Sequence, residues 1–490
     1  MLTIFGGRAR TDCEGVSRRD FLRIGSLGLA GLSLPQLFAA QAQAAEMGKY
    51  LADRSVIFLF LRGGATHIET WDPKMEAPAE YRSMFGAVKT CLPGVSYGGT
   101  FQKLAPLANR LAVVRSFRVG TGSHGAGRTL ITTGGNPLKA PMGSVYARLA
   151  GSTSPRTGIP NHAVIPPQAM GPEYRGLTSR AQELLTTGSL PSEYRAFNPG
   201  AASAPDQGKK KGKGRRAAAG KGGLLADMEL RLNPSRLDDR RSLLEQLDGL
   251  KKGLDRGGVE GFDRFQQQAF DVILGGVSDA FNLKKEDPRT IARYDTAAFA
   301  PPASAVKKGT KNAKKIPGFS PVALGKQLLL ARRLCEAGCG FVTVVSEGWD
   351  MHGNAFGIND GMPSVGGALD HAVAAFLEDV EQRGLSNKIL LVISGEMGRT
   401  PKINNKAGRD HWANLCSLAL AGGGLKMGQV IGASDRRAAS PASNPYTVNH
   451  LLTTILHSLF NIGELRITRG LPTEVVRLAT TGQPIRELFS

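Results

Sequence analysis

Carboxylates and imidazoles recur in three short stretches of this chain: Gly348-Trp349-Asp350-Met351-His352, Gly395-Glu396-Met397-Gly398-Arg399 and Gly408-Arg409-Asp410-His411-Trp412. Asp350, His352, Glu396, Asp410 and His411 form a vocabulary of metal ligands, for a divalent ion such as zinc, calcium or magnesium. The first two stretches follow apolar runs at 341–346 and 389–394. In an open α/β sheet the crevice beyond the carboxyl ends of the strands is the usual ligand site, so placement adds to residue type. Asp350 and His352 are two apart, and on an irregular loop they can converge on one ion; along a strand they would share a face but no fixed point. The plainer reading of Asp350 is a turn residue accepting main-chain N–H groups.

The elements that must position these residues alternate in type. Residues 55–61 are an unbroken β-branched and aromatic run closed by Arg62-Gly63-Gly64, which predicts a buried parallel strand and a turn. A second strand is expected at 111–115, then a helix from near Gly125 to Gly134-Gly135 and an edge segment at 160–165. From Ser320 the pattern reads helix to Glu336, strand 341–346, helix 364–383, strand 389–394, a long loop and strand 415–421, with a last helix at 447–461. This alternation predicts an α/β fold with a doubly wound, mostly parallel sheet. Leu243, Leu244, Leu247, Leu250 and Leu254 repeat at helical spacing amid dense charge, so 202–316 reads as an inserted helical cap. His162, His371, His450 and His457 lie outside these stretches and are read as structural.

The net charge of +21 suggests a polyanion partner, yet it is local. Two clusters carry more than half of it: Lys209, Lys210, Lys211, Lys213, Arg215, Arg216 and Lys221, then Lys307, Lys308, Lys311, Lys314 and Lys315. Both lie in Gly, Ala, Ser and Pro without the aromatic residues that stack on bases, so solvated loops are preferred over a nucleic-acid arm. Of five cysteines, Cys335 and Cys339 stand one helical turn apart, and an optional disulfide between them is the only pairing the spacing suggests. The amino terminus carries Ser17-Arg18-Arg19-Asp20-Phe21-Leu22, an uncharged Gly- and Ser-interrupted run from Ile24 to Ala40, and small residues to Ala44. It is similar to a twin-arginine export signal, which predicts passage through the twin-arginine machinery, a leader at 1–44, a mature chain at 45–490 without a membrane span, and a periplasmic or secreted destination.

Leu61-Arg62-Gly63-Gly64-Ala65-Thr66-His67, Trp71-Asp72-Pro73-Lys74, Gly398-Arg399-Thr400-Pro401, Gly432-Ala433-Ser434-Asp435 and Pro484-Ile485-Arg486-Glu487-Leu488-Phe489, with the two motifs at 348–354 and 408–412, carry a resemblance along nearly the whole chain. The chain resembles the domain-of-unknown-function family numbered 1501, of exported planctomycete-type proteins, similar in fold to alkaline phosphatases and sulfatases. That resemblance implies a metal-assisted hydrolase of phosphate or sulfate esters. By its spacing, His124 falls on the sulfatase nucleophile and Arg128 on the anion-clamping arginine, with Ser123 a fallback nucleophile. His124 can equally ligate metal, act as a base, or merely cap a helix. Glu396 falls where the fold usually carries an Asp-His ligand pair, with Met397 in place of the imidazole. Arg399 is expected to hold an anion or pair with Glu396. His411 takes the place of the last metal histidine, with Asp410 orienting it or ligating directly. Glu69 or Asp72 would reach the site only across an intervening turn. Two further readings stay open: a binding or assembly protein with a degenerate site, and a polyanion binder using the lysine loops.

Overall fold

The apolar run at 55–61 becomes an inner strand of a seven-stranded sheet. In the computed structural model, which describes residues 48–154, 157–171, 182–199, 278–301, 321–353 and 357–490, the strands are β1 (Ser55–Arg62), β2 (Leu111–Val114), β3 (His162–Ile165), β4 (Phe341–Glu347), β5 (Ile389–Gly395), β6 (Leu418–Gly422) and β7 (Gln429–Ile431). Their order is β7-β2-β6-β5-β1-β4-β3. β1 pairs in parallel with β4 and β5, β3 with β4, and β7 with β2. β6 is antiparallel to both β5 and β2. The fold is therefore α/β with a mixed, mostly parallel sheet. The expectation of parallel strands fails at β6 because no crossover helix precedes it: the chain leaves the carboxyl end of β5, makes the 396–417 loop, and re-enters at that same end.

Side chains along β1 alternate between two cores. Val56, Phe58 and Phe60 pack in the layer with α2 (Met142–Ala150) and α5 (Val448–Leu459), while Ile57, Leu59 and Leu61 pack with α3 (Leu324–Glu336) and α4 (Gly367–Gln382). A strand apolar on both sides has to be covered on both, which sets the helices on the two faces. α1 (His124–Thr133) begins after an extended Ser123 and ends at Gly134, whose φ of 63° is the left-handed conformation of a helix stop. α4 starts at 367 rather than 364 because a π-helical turn, Met362–Gly366, containing Pro363, precedes it.

Residues 278–301 pack short helices onto α3 and α4, burying Phe281 and Tyr294. The rest of the expected cap, both lysine clusters and the leader lie outside the described residues. Cys335 and Cys339 are buried free thiols, so the optional disulfide is not formed. Among the described residues no helix is long and apolar enough to cross a membrane.

Candidate metal centre

Close main-chain contact draws the carboxyl-end loops together. Gly63 and Gly64, which follow β1, have φ of 116° and 86°, and a Cβ on Gly63 would lie 2.5 Å from the Asp350 nitrogen. Only glycine satisfies both the left-handed backbone and that approach. On the other side, a Cβ added to Gly127 of α1 would lie 2.4 Å from the Glu396 carbonyl oxygen, so the first turn of α1 rests on the loop after β5. Trp349 is buried and donates its indole N–H to Ser346 at 3.1 Å, which pins the loop carrying Asp350 and His352. His411 stands on a two-residue ribbon paired with Gly398–Arg399.

Four side chains meet where these loops converge: His124, Asp350, His352 and His411. One donor atom from each lies within 4.8 Å of every other. His352 Nε2 is 2.8 Å from both Asp350 Oδ1 and His411 Nε2. His411 Nε2 is 3.4 Å from Asp350 Oδ1, and His124 Nε2 is 3.3 Å from Asp350 Oδ2. Two of the rings turn their other nitrogen onto a carboxylate: His124 Nδ1 contacts Glu396 Oε1 at 2.9 Å, and His352 Nδ1 contacts Asp410 Oδ1 at 3.1 Å. A carboxylate behind an imidazole fixes ring orientation and raises the basicity of the nitrogen in front. The group can coordinate a divalent metal ion, and its side chains remain 28–44% exposed to solvent.

The local field differs from ring to ring. Hydrogen bonds to Asp350 and Glu396 raise the His124 imidazole to about 9 against the opposing effect of burial. Burial pushes the Asp350 carboxyl upward, but the His124 hydrogen bond and the Arg399 guanidinium together hold it well below the usual carboxylate range. His411 is lowered by burial and by the cationic groups around it, Arg399 first among them.

The other expected residues take other places. Glu396 is fully buried outside the four-residue group; its carboxylate accepts the Gly63 N–H at 2.9–3.0 Å and holds His124. Arg399 does not pair with Glu396. It is buried, donates from Nε to the Gly64 carbonyl at 2.8 Å and from Nη1 to the Arg409 carbonyl at 3.2 Å, and uses Nη2 on the Gly63 carbonyl and on Asp350 at 2.5 Å. Its donors are thus turned into the protein, which is why it presents no fork to an anion in the cleft. Asp410 meets His352 rather than its neighbour His411, since consecutive residues of an extended segment face opposite ways. Arg128 pairs with Glu183 at 2.7 Å. Ser123 is exposed and its side chain makes no capping bond. Glu69 lies in a fully buried pair with Arg409 at 3.0 Å, and Asp72 bonds Ser434 and neighbours Lys74 and Arg115. Asn404, not singled out in the sequence, donates to Asp410 and to the His352 carbonyl while accepting from Lys406 and Gly408. Its signal was an Asn opening a Gly-closed turn, the usual place for such local bonding.

A family model for a protein of unknown function (DUF1501) matches residues 53–489. The chain belongs to the DUF1501 family. No curated protein matches this DUF1501 chain. Among solved structures it is similar to Ps i-CgsB, at 8% identity and a TM-score of 0.37, over 83% of this chain and 72% of that one. It is similar also to the PsFucS1 sulfatase from Pseudoalteromonas sp., at 12% identity and a TM-score of 0.34, over 87% and 72%. A third likeness is to the lipoteichoic acid synthase LtaP from Listeria monocytogenes, at 8% identity and a TM-score of 0.31, over 91% and 82%. Likenesses this distant carry no argument about chemistry, which rests on the cluster itself.

Proposed function

We propose that this chain is an exported, metal-assisted hydrolase of phosphate or sulfate esters with an alkaline-phosphatase-like, doubly wound fold. The observation that carries the reading is the convergence of three imidazole Nε2 atoms and one carboxylate at the carboxyl edge of the sheet, in side chains that water reaches. Purely structural metal sites are closed; partial exposure of all four donors suits a site that admits substrate. A divalent ion held there would polarise an ester oxygen and lower the pKa of water. Asp350, His352 and His411 are the residues assigned to hold it. With Nδ1 bonded to Glu396, His124 presents Nε2 to the cleft, either as a fourth ligand or for proton transfer. Ser123, the exposed residue before His124, offers a hydroxyl for covalent chemistry. Asp410 orients His352, and Arg399 holds Asp350 ionised and in place. Arg128 keeps its anion-clamping role in this reading only if substrate displaces Glu183. The twin-arginine-like leader is the support for export to the periplasm or beyond.

One observation favours a second reading, a binding or assembly protein with a degenerate site. Met397, at a position the resemblance reserves for an imidazole, is fully buried against Gly64 and offers no ligand. Hydrolysis of p-nitrophenyl phosphate and p-nitrophenyl sulfate, before and after chelation, separates the two. Chelator-sensitive turnover that His352→Ala abolishes is the expected result; a metal-loaded protein that turns over neither ester would leave the binding reading.

A further inference from the structure

We infer that the centre is built for one ion of the zinc class and that Arg399, fixed against Asp350, excludes a second cation from that carboxylate. The inference rests on the reading of His124, Asp350, His352 and His411 as a metal centre. Its first support is donor chemistry: three imidazole nitrogens stand against one carboxylate. Calcium takes six to eight oxygen ligands and magnesium a near-octahedral set of oxygens, whereas zinc and its late first-row neighbours accept imidazole in low coordination number. The remaining nearby carboxylates are engaged elsewhere, Glu396 by the Gly63 N–H and His124 Nδ1, Asp410 by His352 Nδ1 and Asn404. No oxygen cage is left among the described residues of the site.

The second support is the environment of Asp350. Its Oδ1 already receives Arg399 Nη2 at 2.5 Å and faces His352 and His411 Nε2. Arg399 is 1% exposed and its guanidinium is fixed by three main-chain carbonyls, of Gly63, Gly64 and Arg409. That fixed charge sits on Asp350 Oδ1, while His124 bridges Asp350 Oδ2 to Glu396 Oε1, so a second divalent ion at Asp350 would meet an immobile cation and find both ring nitrogens of His124 and His352 already committed.

The test uses the full-length mature protein stripped with chelator, dialysed, and loaded separately with zinc, calcium or magnesium in several-fold excess, then desalted for elemental analysis and thermal unfolding. One zinc per chain is expected, with an upward shift in Tm from zinc and none from calcium or magnesium. Cobalt substitution is expected to give the intense visible bands of a four- or five-coordinate ion. Two zinc ions per chain would overturn the role of Arg399 while leaving the metal reading intact. One calcium or magnesium, or the weak bands of six-coordinate cobalt, would overturn the donor argument. No bound metal of any kind would instead remove the reading on which the inference rests.

Discussion

Two charged clusters in this molecule use similar residues to opposite ends. Behind α3, Arg332 is 1% exposed and contacts Glu286 at 2.5 Å, Glu336 at 2.6 Å and Asp379 at 3.0 Å, while Arg333 and Arg383 add contacts to Glu286 at 2.9 Å. Every acid there meets a permanent cation, and the network docks the 278–301 segment on α3 and α4. At the carboxyl edge, Asp350 meets one arginine and three imidazoles whose ring nitrogens can shed a proton and bind something else. Acids matched to arginines hold the fold together; acids matched to converging histidines leave coordination capacity open. On the proposed reading the first cluster is a matter of stability and the second of ligand binding, and the two should separate cleanly under mutation.

The largest effect is expected at the open cluster. His352→Ala and His411→Ala should each abolish stoichiometric metal binding, because removing one of so few ligands destroys the geometry a divalent ion requires. Both positions are partly exposed, so stability of the chelated protein should change by no more than about 0.5 kcal/mol, the range of ordinary surface substitutions. Urea unfolding beside elemental analysis checks both halves. Conversely, Arg332→Met should cost about 1–3 kcal/mol, since it removes a buried guanidinium while Glu286 keeps Arg333 and Arg383 and Asp379 keeps Arg383, yet leave the metal content of the folded fraction unchanged. Loss of metal in this variant would break the comparison.

A smaller effect belongs to the carboxylate behind an imidazole. Asp410→Ala frees His352 Nδ1 and should weaken metal affinity by about 10–100-fold, with full stoichiometry recovered at saturating metal. Competition against a chromogenic chelator measures it. The smallest and most conditional effect is acid sensitivity at the closed cluster. Burial raises the Glu286 carboxyl, but Arg333 and Arg332 outweigh it and bring it down from an ordinary 4.5 to about 2. The folded state then binds fewer protons than the unfolded state between those values, so the stabilisation is complete above about 4.5 and is lost as pH falls through about 2. Glu286→Gln should flatten the stability profile in that window and leave it unchanged near neutrality apart from a constant offset.

Much of this was legible in the sequence, for reasons that differ by element. β1, β4 and β5 announce themselves because strands covered on both sides must be continuously apolar, and α1 because Gly134 marks its stop. The antiparallel sense of β6 was not legible: a five-residue apolar strand carries no mark of direction, and only the path of the 396–417 loop decides it. At the site, the strand-end position of Asp350 and His352 pointed to a loop that the structure brings together with His124 and His411. Pairings across the cleft were hidden, because Glu396 reaches His124 over 272 residues and Asp410 reaches His352 over 58. Arg399 looked like an anion receptor because its type permits that role; burial and three carbonyl acceptors redirected it.

The central claim is that three imidazoles and Asp350 hold a single metal ion, and an anomalous difference map at the zinc edge, from crystals of mature protein purified without chelator, tests it most directly. One peak is predicted, about 2.0–2.2 Å from the imidazole nitrogens of His352 and His411 and from an Asp350 oxygen, with His124 Nε2 facing it. A map without a peak at that point after zinc loading, or with two peaks flanking Asp350, would contradict the account.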